Sequence, residues 1–341
     1  MKILMVDMIL VVGEIVSRIR TFLSHGIFAV VAVYAVVTLA FVVIALTPDP
    51  GEAALAHSLV RQGRGDQLEA KLRAYRAARN LDVPVTTRYA RWLVDITVLD
   101  WGRSFATGRS VLSMVREGLA YTLSYVVPGV VVGTAGGIWA GLSTARDSAS
   151  NAGRGLSVLS YAAFGVPSFW LAAVFFVTVA PKLSWFPDRL PTTGPFSPEV
   201  LLFLAPAAVI VAVNVFAGQL RYARTKGSEY FQSDFVRQHR AVGVSRRKVM
   251  WYVLRVAAVP LLAVSLADLI AILVVNVFVV EYVFNVPGVG FLTYQAVLDR
   301  DMPVVLGMTM VVALAGIGAN FLQEVANTLL DPRIGDDGGA P

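Results

Sequence analysis

Six stretches of this chain run for about twenty residues or more with almost no charge in them, and each is bounded by charged residues. They lie between Arg20 and Asp49, Glu117 and Arg146, Arg154 and Lys182, Glu199 and Arg221, Arg255 and Glu281, and Asp301 and Glu324. A helix needs about 20 apolar residues to cross the hydrocarbon of a bilayer, and it satisfies its own backbone while doing so. The fold class that follows is all-α and integral to a membrane, with six transmembrane helices. Composition agrees: 56% of residues are hydrophobic and 15% are charged, against roughly 25% charged in a soluble domain. Mean hydropathy is +0.66.

The first twenty residues, MKILMVDMILVVGEIVSRIR, are apolar but broken by Asp7, Glu14, Arg18 and Arg20. A cleavable leader would want an unbroken apolar core. The expectation is an interfacial amphipathic helix leading into span one, or else a partly disordered N-terminal extension. The chain then divides into this segment (1–20), span one (21–48), a long loop (49–117), a body with spans two to six (118–335) and a short tail (336–341). Lys and Arg in the short loops set the orientation. Placing both termini in the cytoplasm puts Lys2, Arg18, Arg20, Arg146, Arg154 and Arg333 inside, and leaves Lys182, Arg189 and Arg300 outside. The loop 49–117 then lies outside, and segment 221–259, rich in Arg and Lys, lies inside.

The outer loop reads as helical. Asp66 and Glu69 have capping-box spacing at the head of DQLEAKLRAYRAARN. Leu68, Leu72 and Tyr75 form an apolar stripe. Asn80 closes that helix, Pro84 prevents its continuation, and RYARWLVDI forms a second one. Such a loop is a packed cap or a docking surface for an extracytoplasmic partner. In span two, Gly129, Gly133, Gly137 and Gly141 recur every four residues, which predicts one helix face open to close approach by another helix. Asp268 is the acidic residue in the middle of a span, so it should face the bundle interior or a wet path. Asn214, Asn276 and Asn320 are further polar groups in or near spans.

The residues contain no catalytic constellation. Cysteine is absent, and His25, His57 and His239 fall on separate segments without ligand spacing. No phosphate loop of the form G-x-x-x-x-G-K-[ST] occurs. If nucleotide drives this protein, another chain must bind it. The net charge of +6 reads as membrane orientation charge and does not suggest nucleic-acid binding.

The basic segment YFQSDFVRQHRAVGVSRRKVMWYVLRVAAVP starts at Tyr230. Phe231, Phe235 and Val242 are expected on one helical face before Gly243. Val249, Val253 and Val256 are expected on another face after it, with Tyr252 beside them. Gly243 tolerates the left-handed cap that ends a helix, and Ser245 can start the next. Arg246, Arg247 and Lys248 then sit in a first helical turn, where the macrodipole disfavours cations by a few tenths of a kcal/mol each. Anionic lipid or a polar groove on a protein partner would favour them.

This segment resembles the EAA loop of ABC-transporter permeases, in particular the first permease of dipeptide, oligopeptide and nickel importers. The likeness rests on Asp234-Phe-Val-Arg237, Arg240-Ala-Val-Gly243, Ser245-Arg-Arg247, Leu254-Arg255 and Pro260. It continues in EYVFNVPGVGFL from Glu281, LDRDMPVVLGM from Leu298 and LLDPRIGD near the C-terminus. Upstream it includes DVPVTTRYARWL, DWGRSFATGRSV from Asp100 and FGVPSFWLA from Phe164. Gln238, His239 and Val242 depart from the usual Thr, Ala and Lys, and the glycine-to-proline distance is one residue short. The resemblance spans about residues 20 to 335.

The resemblance implies a type I ABC importer permease with a helical extracytoplasmic loop between spans one and two. It implies a second permease, two cytoplasmic ATPase subunits that bind ATP and Mg, an extracytoplasmic solute-binding protein and a lipid surround. It assigns ATPase coupling to Arg237, Arg240, Gly243, Ser245, Arg246 and Arg247. Asp268 and Asn276 become candidate path-lining residues. Glu281, Pro287, Gly288 and Gly290 become an outside turn, structural first and partner-facing second. Peptides are the first expectation for cargo, with nickel and oligosaccharides as alternatives. The rival class is a secondary transporter driven by an ion gradient through Asp268.

Overall fold

The computed structural model describes residues 2–47, 50–146, 151–255, 257 and 277–330. Among them every regular element is helical, and the one extended pairing is an isolated bridge between Arg103 and Ser110. The helices are α1 (Lys2–Leu46), α2 (Pro50–Arg61), α3 (Leu68–Ala78), α4 (Val85–Thr97), α5 (Val111–Arg146), α6 (Asn151–Gly165), α7 (Ser168–Val174), α8 (Pro198–Phe231) and α9 (Asp234–Ala241). After them come α10 (246–255), α11 (Val277–Phe284), α12 (Val289–Asp299) and α13 (Met302–Leu330).

Four helical stretches are long and apolar enough to cross a membrane, namely Gly26–Val43, Val111–Arg146, Pro198–Phe231 and Met302–Phe321. Two further candidates are bent pairs, Gly153–Ala163 with Ser168–Lys182 at 90° and Val277–Phe284 with Val289–Asp299 at 83°. The third apolar run is therefore not one rod. Pro167, at the start of α7, has no N–H to continue the helix and biases Val166 away from helical backbone. Most of the fifth run, with Asp268 and Asn276, lies outside the described residues. The N-terminal residues are helical from Lys2 onward. They continue into span one as a single 45-residue helix, roughly twice the length that the ~30 Å hydrocarbon requires.

The chain forms two compact units. One comprises Ala32–Glu117 and Leu292–Ala313, and the other is built on Gly118–Phe291. In the second unit the glycine stripe of α5 faces α8. A methyl group on Gly129 would meet Ala208 O at 2.7 Å, and one on Gly133 would meet Ala212 O at 2.6 Å. On Gly137 and Gly141 it would meet the Gln219 and Ala223 side chains, each at 2.6 Å. Gly227 of α8 reciprocates against Leu142 and Ala145. The absent side chains bring the two backbones into direct contact. Beside this seam, Phe175, Phe176, Phe186, Phe203 and Phe284 cluster with centroids 4.6–6.4 Å apart. They lock the π-helical turn Phe175–Val179 onto α8 and α11.

In the first unit, α1 packs on α4. Phe41 stacks on Trp92 at 5.0 Å, and Thr38 Oγ1 bonds the Tyr89 hydroxyl at 2.8 Å. The capping box expected at Asp66 does not form. A 3-10 turn over Gly65–Gln67 carries Asp66 inside the helical path, so the N-cap is Gln67, without a side-chain bond, and Glu69 pairs with Arg73 instead. Asn80 closes α3 as expected, at φ +56°. Its neighbour Leu81 donates to Arg76 O at 2.8 Å while Asn80 donates to Ala77 O at 3.2 Å, the Schellman arrangement. The same paired bonds end α2 at Gly63, α4 at Leu99, α9 at Gly243, α11 at Asn285 and α12 at Arg300. Leu99 and Arg300 hold this left-handed backbone at a cost of roughly 1–2 kcal/mol each.

Overpacking a seam of this kind costs typically about 1–3 kcal/mol. Gly133→Val and Gly137→Val should therefore each lower the melting temperature of the detergent-purified protein. Gly155→Ala in α6, where an added methyl meets nothing within 4 Å, should leave it unchanged or raise it. Equal melting of all three would mean that the α5–α8 contact carries no stability.

Candidate functional site

The basic segment folds as α9 and α10 joined at Gly243. Gly243 has φ +80°. Its N–H donates to Arg240 O at 3.1 Å, and the Val244 N–H donates to His239 O at 3.0 Å. Ser245 O then receives the Val249 N–H at 3.1 Å and opens α10. The undersides of both helices are apolar and shielded. Val236, Val249, Val253 and Ala257 are buried against Ile138, Leu142 and Ala145 of α5 and Ala223 of α8. The glycine seam and this platform are thus one continuous packing surface.

The face before Gly243 is not the one expected. Val236 is its buried residue, with Phe231 beside it. Val242 is 78% exposed, and Phe235 is about half exposed, its ring tilted against His239 at 4.2 Å with Tyr252 nearby. An eight-residue helix presents little more than two turns. The position that points at α5 and α8 is one residue later than the Phe231–Phe235 spacing suggested. Val249 and Val253 are buried as expected, and Val256 lies outside the described residues. Ser245 occupies the N-cap position.

The outer surface is cationic. Arg237, Arg240, Arg246, Arg247, Lys248 and Arg255 are exposed. Arg237 meets Asp234 at 3.4 Å, an exposed pair one helical turn apart. Such a pair is worth only a few tenths of a kcal/mol. Arg246, Arg247 and Lys248 occupy the first turn of α10, the unfavourable end of its dipole. What α9 and α10 offer outward is a cationic ridge of five arginines and Lys248, with Val242 and Trp251 bare among them.

The turn after α11 is organised by Glu281, which is fully buried. Its Oε1 accepts the Thr122 hydroxyl at 2.6 Å and the Tyr125 hydroxyl at 3.1 Å, both from α5. Its Oε2 accepts the Phe291 N–H of α12 at 3.0 Å. Thr122 Oγ1 in turn accepts the Val289 N–H at 2.9 Å. The Glu281 carbonyl receives the Val286 N–H at 2.9 Å. A methyl group on Gly288 would overlap the Glu281 carboxyl, and one on Gly290 would lie 2.7 Å from Phe278 Cα. Both glycines are buried. The spacing Glu281…Pro287-Gly288…Gly290 therefore encodes an acceptor and the small residues that let backbone close over it.

Sequence reading did not find Thr122 and Tyr125 as partners of Glu281, nor Asp301. Asp301 is buried in the first unit, where its carboxylate receives the Ser104 hydroxyl, the Phe105 N–H at 3.0 Å and the Ala106 N–H at 3.2 Å. It pins the turn between Gly102 and Gly108 to the start of α13. Its partners lie almost two hundred residues away, and an acid at the end of an apolar run looks like an ordinary boundary charge. In the same unit Glu52 pairs with Arg76, Nε to Oε1 at 2.9 Å, which pushes the Arg76 pKa further up.

An all-helical chain with several apolar spans, a close-packed glycine seam and an exposed basic helix–glycine–helix ridge is a membrane permease subunit. Sequence comparison is specific about which: the chain belongs to the binding-protein-dependent transport system inner membrane components, a family that matches residues 133–336. A Brucella ovis protein named as a peptide permease is 29% identical over 306 residues, covering 88% of this chain and 94% of that protein. One from Brucella abortus, named as a peptide transport system permease, is 32% identical over 269 residues, covering 76% and 83%. The permease protein of the metal–staphylopine import system of Staphylococcus aureus is 30% identical over 255 residues, covering 74% and 78%.

Glu281→Ala would leave two hydroxyls and a buried N–H without their acceptor, at about 1–3 kcal/mol for each group that finds no substitute. The expected result is a clearly lowered melting temperature and faster proteolysis near residues 285–291. Glu281→Gln, which keeps one acceptor oxygen, should fall between that variant and wild type. An alanine variant that melts like wild type would show that the turn is held by packing alone.

Proposed function

We propose that this chain is one of two membrane halves of an ATP-driven importer of short peptides. Its partners are a second, similar permease, two cytoplasmic ATPase subunits that carry ATP and Mg, and an extracytoplasmic solute-binding protein. Both termini lie in the cytoplasm. Family membership supports the transport role, and the names of the two Brucella relatives support peptide cargo.

The observation that carries the coupling reading is the α9–Gly243–α10 ridge. Its apolar underside is buried on α5 and α8 while Arg237, Arg240, Arg246 and Arg247 point outward. A rigid element of that kind transmits displacement where a flexible loop would absorb it. Closure of the paired ATPases on nucleotide would pull the ridge. Because the ridge is packed onto α5 and α8, those helices would move with it and switch the access of the path between the two sides. The cations in the first turn of α10 are then stabilised by acidic and polar groups on the ATPase, which offset their dipole penalty.

Affinity purification of the tagged chain from its own membrane should recover an ATPase and a second permease. Arg246→Glu/Arg247→Glu should weaken ATPase recovery by about tenfold or more and leave the second permease bound. Asp268→Asn should retain transport in part. A chain that transports without any ATPase and is inactivated by Asp268→Asn would instead be an ion-coupled transporter.

A further inference from the structure

The unit formed by Ala32–Glu117 and Leu292–Ala313 contains a cavity of about 510 Å³. Four arginines line it, Arg76, Arg79, Arg88 and Arg300, against one described carboxylate, that of Glu52. The remaining wall is largely apolar and includes Val43, Leu81 and Val305. The segments that build it are those the charge distribution puts on the outer side of the membrane. Four like charges around one cavity repel each other, and the repulsion is less screened beside apolar walls than in open water.

Two of the four arginines are held in place by neighbouring side chains. Glu52 fixes Arg76 through both Nε and Nη2. Arg79 lies over the Tyr75 ring at 4.2 Å and the Phe105 ring at 4.9 Å. The buried Asp301 carboxylate grips the Phe105 N–H, and its residue directly follows Arg300. Arg300 itself sits at φ +52°, where glycine or asparagine would be favoured. The same position is filled by Gly63, Asn80, Gly243 or Asn285 at four other helix ends and by Leu99 at a fifth. Strain retained at a residue whose side chain lines a cavity points to a use for that side chain. Among the described residues Arg88 and Arg300 have no carboxylate partner.

We propose that this cavity is a carboxylate-binding site that takes the C-terminal end of a peptide, with Arg88 and Arg300 binding the carboxylate and the apolar wall receiving the last side chain. Guanidinium forks match a carboxylate in geometry as well as charge. Naming the peptide rests on the importer reading above. The volume is that of a small-molecule pocket, and the walls suit an apolar residue at the peptide end.

The test uses the full chain in nanodiscs of neutral phosphatidylcholine, with trileucine and trileucine amide as probes in calorimetric titration. The free acid should bind about tenfold or more tightly than the amide. Arg88→Gln and Arg300→Gly should each bring the acid down towards the amide. Arg300→Gly should also melt no lower than wild type, because glycine relieves the left-handed backbone, so a loss of binding there is not a loss of fold. Equal binding of acid and amide, or discrimination that survives both substitutions, overturns the proposal. So does displacement of trileucine by phosphatidylglycerol added to the nanodisc with higher affinity than the peptide, which would make this a lipid headgroup site. Uptake of trileucine by cells carrying the whole system separates the two readings. Uptake without acid–amide discrimination in the nanodisc removes the site and leaves the importer. Discrimination without uptake removes peptide import and keeps a carboxylate site.

Discussion

Glu281 brings three helices to one point. Its carboxyl is fully buried, and it is met by two hydroxyls of α5 and the first turn of α12, while its own carbonyl ends α11. An acid in that position is costly unless its lone pairs are used. Here both oxygens are occupied, and the bond from Thr122 is itself extended to the Val289 N–H. The turn that bends the chain by 83° is built around this acceptor. Gly288 and Gly290 are required because any side chain there would occupy the space of the carboxyl or of α11.

The same α5 carries the glycine seam on α8. Without a hydrophobic driving force between helices inside a bilayer, close backbone contact and van der Waals packing hold helices together. Four glycines on one face give that contact over three turns, and the buried faces of α9 and α10 continue it beyond the ends of the spans. A displacement applied to the basic ridge therefore reaches α5 and α8 through packed atoms, with no flexible linker in between. Interfaces of this density switch between discrete arrangements and do not deform gradually, which suits a permease that must expose its path to one side at a time.

The first unit uses a parallel device. Asp301 collects a serine hydroxyl and two backbone N–H groups from the turn after Gly102, as Glu281 collects its donors. In both places a buried acid fixes an irregular stretch that has no helix of its own to satisfy it, in line with the need to pair every shielded backbone group. In the first unit this also orders the wall of a cavity that four arginines line.

Much was legible in the sequence by itself. Uncharged runs of about twenty residues allow only helices in a bilayer, so fold class followed from length and charge alone. A four-residue glycine repeat needs no tertiary information to mark a contact face, and Gly243 followed by Ser245 marks a helix–turn–helix. The sequence also carried the likeness to binding-protein-dependent permeases in the order of its motifs. Tertiary structure decided what these features meet. It set the partner of the glycine face as α8, and it buried Val236 in place of Phe235 because a two-turn helix is oriented by the surface beneath it. It turned the expected capping box at Asp66 into a 3-10 entrance, broke the third run at Pro167 and joined the N-terminal twenty residues to span one. It gave Glu281 and Asp301 their donors, some 160 and 200 residues away in the chain. Local pattern fixes which residues can be buried or can turn, because that depends on neighbours within a few positions. Which acid meets which hydroxyl depends on how distant helices pack, and no local pattern records it.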